Sequence, residues 1–242
     1  MFFFKHYFSF IFLVLILSFF SCKNLKNEDN DYTKEIEVIR FEKLFFEYDF
    51  DSISSLKKKF PYLFPKQFST NDWMSIYKDT LRRDIFNKSN QVFKSFNPYK
   101  IEISKNIKEI QQEFGDFYIP KIITINNGID YNYNIVKSDS LLLVSTDCYL
   151  GDNIHYKSIP NYISMKMNVD YFVKDITESF LLDFIKYPVD RRFISKIIYH
   201  GKLIYSMNKI TDFNLEQIIG ISQENLNWLT ENEDEIWEYF VK

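Results

Sequence analysis

Four consecutive apolar residues in the middle of the chain place the strongest constraint on its fold. Residues 141–144 read LLLV and are flanked by Ser140 and Ser145. A run this short, bounded by polar residues, predicts a buried strand rather than a helix. Asp147 and Asp152 follow in the next loop. They are candidates for an acid–base pair, but at this spacing in a loop we expect them to cap turns or accept backbone N–H bonds.

Two β-rich runs precede this strand, at residues 121–125 and 131–136. Residues 127–128 between them read NG, which is a strong signal for a hairpin turn. Together with residues 141–144, these runs predict an antiparallel meander. Residues 35–41 alternate between polar and apolar side chains well enough to predict a further strand near the start of the fold.

Segments with apolar side chains at helical spacing lie before and after the predicted meander. The predicted helices cover residues 52–60, 73–85, 103–114, 171–185, 191–207, 222–229 and 231–241. Thr230 and Glu233 have the spacing of a capping box for the last helix. The order of helices, meander and helices predicts a single α+β domain.

The amino terminus has the features of a bacterial lipoprotein precursor. Residues 8–20 form an apolar stretch that is short for a membrane-spanning helix and typical of a secretory signal. Ser21 and Cys22 follow it and resemble a lipoprotein cleavage site. We therefore expect residues 1–21 to be a signal peptide and Cys22 to be acylated. An uncleaved signal anchor is the alternative.

Residues 22–34 are polar and charged, which predicts a flexible tether between the lipid and a folded domain at residues 35–242. Several acyl chains on Cys22, palmitate among them, would hold the protein firmly to a membrane, whereas a single chain binds only marginally. The expected location is therefore the cell envelope, on the periplasmic side of a bacterial membrane.

The charge and cysteine content argue against nucleic-acid binding and against an internal disulfide. Without Lys5 the chain has 29 basic and 33 acidic residues, a net charge of −4, and no block of basic residues. Nucleic acid is therefore not an expected partner. With Cys22 acylated, Cys148 has no cysteine left to pair with, and it is predicted to be a buried, unreactive side chain.

Five segments of the chain resemble the gliding-motility lipoprotein B (GldB) family. They are residues 36–47, 139–153, 159–163, 193–207 and 218–240. The resemblance implies a lipoprotein that acts with other envelope proteins of the gliding or associated secretion machinery, in a non-enzymatic role and without a cofactor. The family continues beyond the helix that contains Trp237, so the resemblance also implies that this chain is short at its carboxyl end.

That family is in turn distantly similar to predicted zinc-dependent peptidases, in which an H-E-x-x-H helix follows an edge strand. Two imidazoles at i and i+4 bind zinc, and the Glu activates water. Here Thr177 and Leu181 stand at the histidine positions, beside Glu178, and His200 stands where a third ligand is expected. The resemblance thus implies a degenerate zincin-type domain without a metal. The residues left for a weak metal site are Glu178, His200, His155 and Asp147.

Two further functions stay open beside the non-enzymatic one. The first is a peptide-binding module, in which an extended peptide pairs with the edge of the meander at residues 141–144. The loop at residues 149–151 would form one wall of this cleft, and the helix that contains Glu178 would form its floor. The second is a weak metallopeptidase. A degenerate cleft predicts that Leu181 is buried, and that Glu178 reaches solvent or finds a partner.

Overall fold

A four-stranded mixed sheet is the framework of the fold. The structure is a computed structural model and describes residues 36–49, 53–151 and 154–241. The strands are β1 (Val38–Arg40), β2 (Lys121–Ile125), β3 (Ile135–Lys137) and β4 (Leu141–Ser145). Their order across the sheet is β1-β2-β4-β3. β2 is parallel to both β1 and β4, whereas β3 is antiparallel to β4.

The predicted antiparallel meander is therefore wrong, although its three strands lie close to their predicted positions. After the Asn-Gly pair the chain forms a 3-10 helix at Tyr131–Tyr133, so the turn does not lead directly back along β2. β4 occupies the place beside β2, and the shortened β3 pairs with the outer edge of β4. Parallel central strands are buried on both faces, which explains the unbroken apolar run of β4.

The described residues form eleven α-helices. They are α1 (Phe41–Phe46), α2 (Ile53–Lys59), α3 (Thr70–Lys78), α4 (Thr80–Val92), α5 (Asn97–Phe114), α6 (Asn161–Ser164), α7 (Phe172–Leu181), α8 (Phe193–Ile210), α9 (Leu215–Ile219), α10 (Gln223–Glu231) and α11 (Glu233–Val241). This content of helix and mixed sheet confirms the α+β class.

Two hydrophobic clusters hold the helices against the sheet. Ile122 and Leu142 are paired in register and belong to the cluster formed with α5 and α7. Ile123 lies next along β2 and packs with α1 and α4 in the other cluster. Because side chains alternate along a strand, the two clusters lie on opposite faces of the sheet. The second cluster is built mainly of phenylalanines: Phe41, Phe45, Phe46, Phe60, Phe64 and Phe86.

The boundaries of several helices differ from those predicted. The single helix predicted at residues 73–85 is broken at Asp79, whose carboxylate accepts the N–H of Arg82 and caps α4. The helices α1, α6 and α9 were not predicted. The capping box predicted at Thr230 is wrong, because Thr230 lies inside α10 and donates its hydroxyl to the Leu226 carbonyl at 2.9 Å.

The predicted signal peptide at residues 1–21, the acylated Cys22 and the tether at residues 22–34 lie outside the described residues. None of the helices in the described part of the chain has the length and hydropathy that a membrane span requires.

Candidate functional site

A groove of about 550 Å³ lies between strand β3 and helix α7. It is lined by both elements and by Tyr118 and Pro120, which precede β2. Asn168 accepts the N–H of Asp170 and so starts the short 3-10 turn that leads into α7. The lining contains six charged side chains: Lys137, Asp139, Lys174, Asp175, Glu178 and Asp183.

Lys174 is the centre of a charge network in this groove. Its ammonium group lies 3.1 Å from Asp175 Oδ1 and 2.6 Å from Glu178 Oε2. Desolvation lowers the pKa of Lys174, but the two carboxylates outweigh desolvation and leave that pKa raised. Desolvation also raises the pKa of Asp175 despite the adjacent ammonium group. Asp175 in addition accepts the hydroxyl of Tyr149 at 2.9 Å.

Lys137 links the edge strand to helix α7. Its ammonium group donates to the Ser179 carbonyl at 3.0 Å and pairs with Asp183. These contacts hold β3 beside α7. Sequence reasoning missed Lys137 because its partners lie more than forty positions away along the chain. The Lys174–Glu178 pair had a visible signal, since residues four apart on a helix are neighbours.

Strand β3, at one edge of the sheet, directs some of its main-chain groups outward. Ser145 donates its N–H to Asn134, and Ser138 donates its N–H to Leu141, both at 2.8 Å. In an antiparallel strand, the main-chain N–H and C=O groups of every second residue point toward the partner strand. Asn134 and Ser138 bond to β4 in this way, so the N–H and C=O groups of Ile135 and Lys137 point away from β4. The Ile135 N–H bonds to the Asn134 side chain at 2.9 Å, which leaves the Lys137 groups and the Ile135 carbonyl directed outward. The binding edge predicted at residues 141–144 is therefore wrong, because β4 is internal.

Thr177 and Leu181, which the expected peptidase resemblance placed at zinc-ligand positions, are both in the protein core. Thr177 donates its hydroxyl to the Val173 carbonyl at 2.8 Å and accepts the side-chain amide of Asn106 at 3.0 Å. Leu181 is fully buried, which confirms its predicted environment. Glu178 lines the groove and pairs with Lys174, so the prediction that it finds a partner is also confirmed.

His155 and His200 lie on different elements. His200 is exposed on α8, and its ring lies in an edge-to-face contact with the ring of Tyr199. His155 bonds through Nε2 to Asp84 on α4 at 2.9 Å. Within the described ranges, the structure brings together no group of three or more His, Cys, Asp or Glu side chains that fits a metal ion. Asp152 lies outside the described residues.

Asp147 accepts backbone N–H groups, as predicted. Its carboxylate is fully buried and binds the N–H groups of Asn127 at 3.3 Å, Gly128 at 2.8 Å and Ile129 at 2.9 Å. Gly128 has φ +86° and Ile129 has φ +64°. Positive φ is strained for a β-branched side chain such as Ile129, so the carboxylate holds a turn that is unfavourable by itself.

Burial raises the pKa of Asp147 from 3.8 to about 6, against the opposing effect of the three N–H bonds. Between these pKa values the folded chain keeps the proton and the unfolded chain releases it. The resulting stabilisation is complete below about pH 4 and is lost as the pH rises through about 6. We therefore expect the free energy of unfolding, relative to an Asp147→Asn variant, to fall by roughly 2–3 kcal/mol between about pH 4 and about pH 7.

Denaturant unfolding of both proteins at the two pH values measures this difference. All other carboxyl groups are shared, so their titration cancels in the comparison. A difference that stays constant with pH would show that Asp147 does not titrate in this range.

The comparisons with known proteins give a family for the chain. Neither a curated protein nor a solved structure gave a significant match, so the expected likeness to zinc-dependent peptidases is not confirmed. The gliding motility protein GldB family, a lipoprotein family by name, matches residues 22–242. Because that match covers most of the sequence, the chain belongs to the GldB family of gliding-motility lipoproteins.

Proposed function

We propose that the protein is a non-catalytic, lipid-anchored component of the gliding machinery or its associated secretion apparatus. The family match over residues 22–242 carries this proposal and includes Cys22, the residue that would hold the lipid. The anchor would place the domain at the periplasmic face of a membrane, where its contacts would be with other envelope proteins.

The non-catalytic part of the proposal is supported by the surroundings of helix α7. A peptidase of the H-E-x-x-H type needs two imidazoles that face an open cleft. The corresponding Thr177 and Leu181 are buried, one in hydrogen bonds and the other among apolar side chains. Glu178 is engaged by the ammonium group of Lys174. Thr177 and Leu181 therefore contribute to packing in the core, at the two helix positions where such a peptidase would hold its metal.

Deletion of the gene in a gliding host is expected to abolish gliding. Restoration by the wild-type gene, and failure of a Cys22→Ser variant to restore gliding or to fractionate with membranes, would support the anchored role. A Cys148→Ser variant is the matched control, because it removes the other cysteine of the chain and leaves the lipid site intact. Normal gliding in the deletion strain, or full restoration by Cys22→Ser, would refute the proposal.

A second candidate function is peptide binding at the edge strand. The observation that favours it is the outward main-chain groups of Lys137 beside the groove, a geometry that adds a peptide strand by main-chain hydrogen bonds. The lining has four carboxylates and two ammonium groups, so the occupant we propose is an extended peptide with basic side chains.

A Lys137→Pro variant is expected to weaken such binding by about tenfold, since proline removes the outward N–H and spares the bonds to β4. The probe is an acetylated hexapeptide of alternating valine and lysine, titrated into the isotope-labelled chain while amide resonances are followed. Lys137→Met is the control, because it removes the ammonium group and keeps the N–H. Equal binding by both variants, with circular dichroism unchanged, would exclude this edge as the site.

A further inference from the structure

A second cavity lies on the other face of the sheet, among helices α1, α3 and α4 and the end of β2. It has a volume of about 310 Å³, within the range of small-ligand pockets. Its walls are largely apolar and aromatic: Phe41, Phe45, Phe46, Leu63, Phe68 and Ile76. This cavity is separate from the groove beside α7 and from the residues compared above with a peptidase site.

Three hydrogen-bond donors in the lining lack partners. Trp73 Nε1 and Asn126 Nδ2 are buried and have no hydrogen-bond partner among the described residues. Arg82 is partly buried, and its guanidinium lies beside Gly128 and makes neither an ion pair nor a side-chain hydrogen bond with the described residues. Buried donors normally have hydrogen-bond partners in folded proteins, so Trp73 Nε1 and Asn126 Nδ2 need an explanation.

The neighbouring residue on α4 shows the usual arrangement. Arg83 donates from Nε to the Tyr77 carbonyl at 2.8 Å, and its guanidinium lies 4.3 Å from the centre of the Tyr77 ring. Arg82 is on the same helix and borders the cavity, but its guanidinium makes no comparable hydrogen bond or ring contact with the described residues.

Glu42, the acidic side chain in the cavity wall, does not form an ion pair with Arg82. Glu42 pairs through Oε1 with Arg40 and accepts the hydroxyl of Thr124 at 2.6 Å through Oε2. Both carboxylate oxygens thus have other partners. The unpartnered polar side-chain atoms of the lining are all donors, and one of them carries a positive charge.

We propose that this cavity binds a small amphiphilic carboxylate, of the class of medium-chain fatty acids. The hydrocarbon part lies among the phenylalanine rings, and the carboxylate accepts bonds from Arg82 and the neighbouring donors. Burial of the chain supplies affinity, and the charge-assisted bonds select a carboxylate. A peptide fits less well, because its main-chain N–H groups need acceptors that the lining side chains do not offer.

Titration calorimetry with octanoate and octanol tests the proposal. The protein is the chain from residue 22 onward with Cys22→Ser, which has no lipid of its own. We expect octanoate to bind at least about tenfold more tightly than octanol, since both carry the same hydrocarbon and only octanoate pairs with Arg82. A hexapeptide with an apolar carboxyl terminus is the third probe, and it is expected to bind more weakly than octanoate.

Variants assign the effect to Arg82 and Trp73. Arg82→Gln is expected to abolish the preference for octanoate, and Trp73→Phe to weaken octanoate severalfold while keeping an aromatic ring. Arg83→Gln is the matched control and is expected to bind octanoate like the wild type. Thermal unfolding establishes that each variant folds. The proposal is overturned by absent octanoate binding, by equal affinity for octanol, by an unaffected Arg82→Gln variant, or by tighter binding of the peptide.

Discussion

An Asp147→Ala variant is expected to lose about 2–4 kcal/mol of unfolding free energy at neutral pH. The substitution leaves three N–H groups, those of residues 127–129, without their acceptor. It also removes the contacts that offset the strained backbone of Ile129, whose φ is +64°. The removal of a buried negative charge returns part of this loss, because burial already disfavours the ionised form of Asp147.

The matched control for this prediction is Asp147→Asn. An asparagine keeps one carbonyl oxygen for the two shorter bonds, to Gly128 and Ile129, and loses the longer one. We expect its unfolding free energy to stay within about 1.5 kcal/mol of the wild type. Guanidinium unfolding followed by circular dichroism measures both variants. An alanine variant as stable as the asparagine variant would mean that the turn does not depend on this carboxylate.

The same turn explains why the strands were predicted and their pairing was not. Apolar runs such as residues 141–144 identify a buried strand through local composition alone. The partner of a strand depends on contacts that the local pattern does not contain. Here Asp147 binds a turn about twenty positions earlier, and the 3-10 helix at Tyr131–Tyr133 shortens β3. A two-residue hairpin was therefore predicted where the chain makes a longer connection.

Local signals are also present for parts of the candidate site. Glu178 and Lys174 are one helical turn apart, so their ion pair follows from spacing once α7 is recognised. The burial of Leu181 was predicted from its apolar side chain at a position that the expected peptidase resemblance gave to a metal ligand. The contact of Lys137 with Asp183 joins residues 46 positions apart, and the cavity beside Arg82 is assembled from α1, α3, α4 and β2. Such groups come together only through the tertiary fold.

A Glu42→Ala variant is expected to lose about 3–5 kcal/mol of unfolding free energy, because it leaves one partner of a buried ion pair uncompensated. Glu42 is 2% exposed and pairs with Arg40, which also donates to the Phe93 carbonyl at 3.0 Å. The guanidinium is thus held in a largely buried position, with the Arg40 side chain 15% exposed, and it loses that bond if it turns to solvent. The hydroxyl of Thr124 loses its 2.6 Å acceptor as well.

Replacement of both charged residues distinguishes the net contribution of the ion pair to the free energy of unfolding from the loss caused by leaving one charge unpaired. An Arg40→Met, Glu42→Leu double variant removes both charges and fills the space with apolar side chains of similar size. We expect the double variant to be more stable than Glu42→Ala by at least about 2 kcal/mol, since no unpaired charge remains in the core. Guanidinium unfolding of the wild type, Glu42→Leu, Arg40→Met and the double variant completes the cycle, and Glu42→Ala is measured beside them. If the two single losses simply add in the double variant, Arg40 and Glu42 are not energetically coupled, and the loss in Glu42→Ala has another cause.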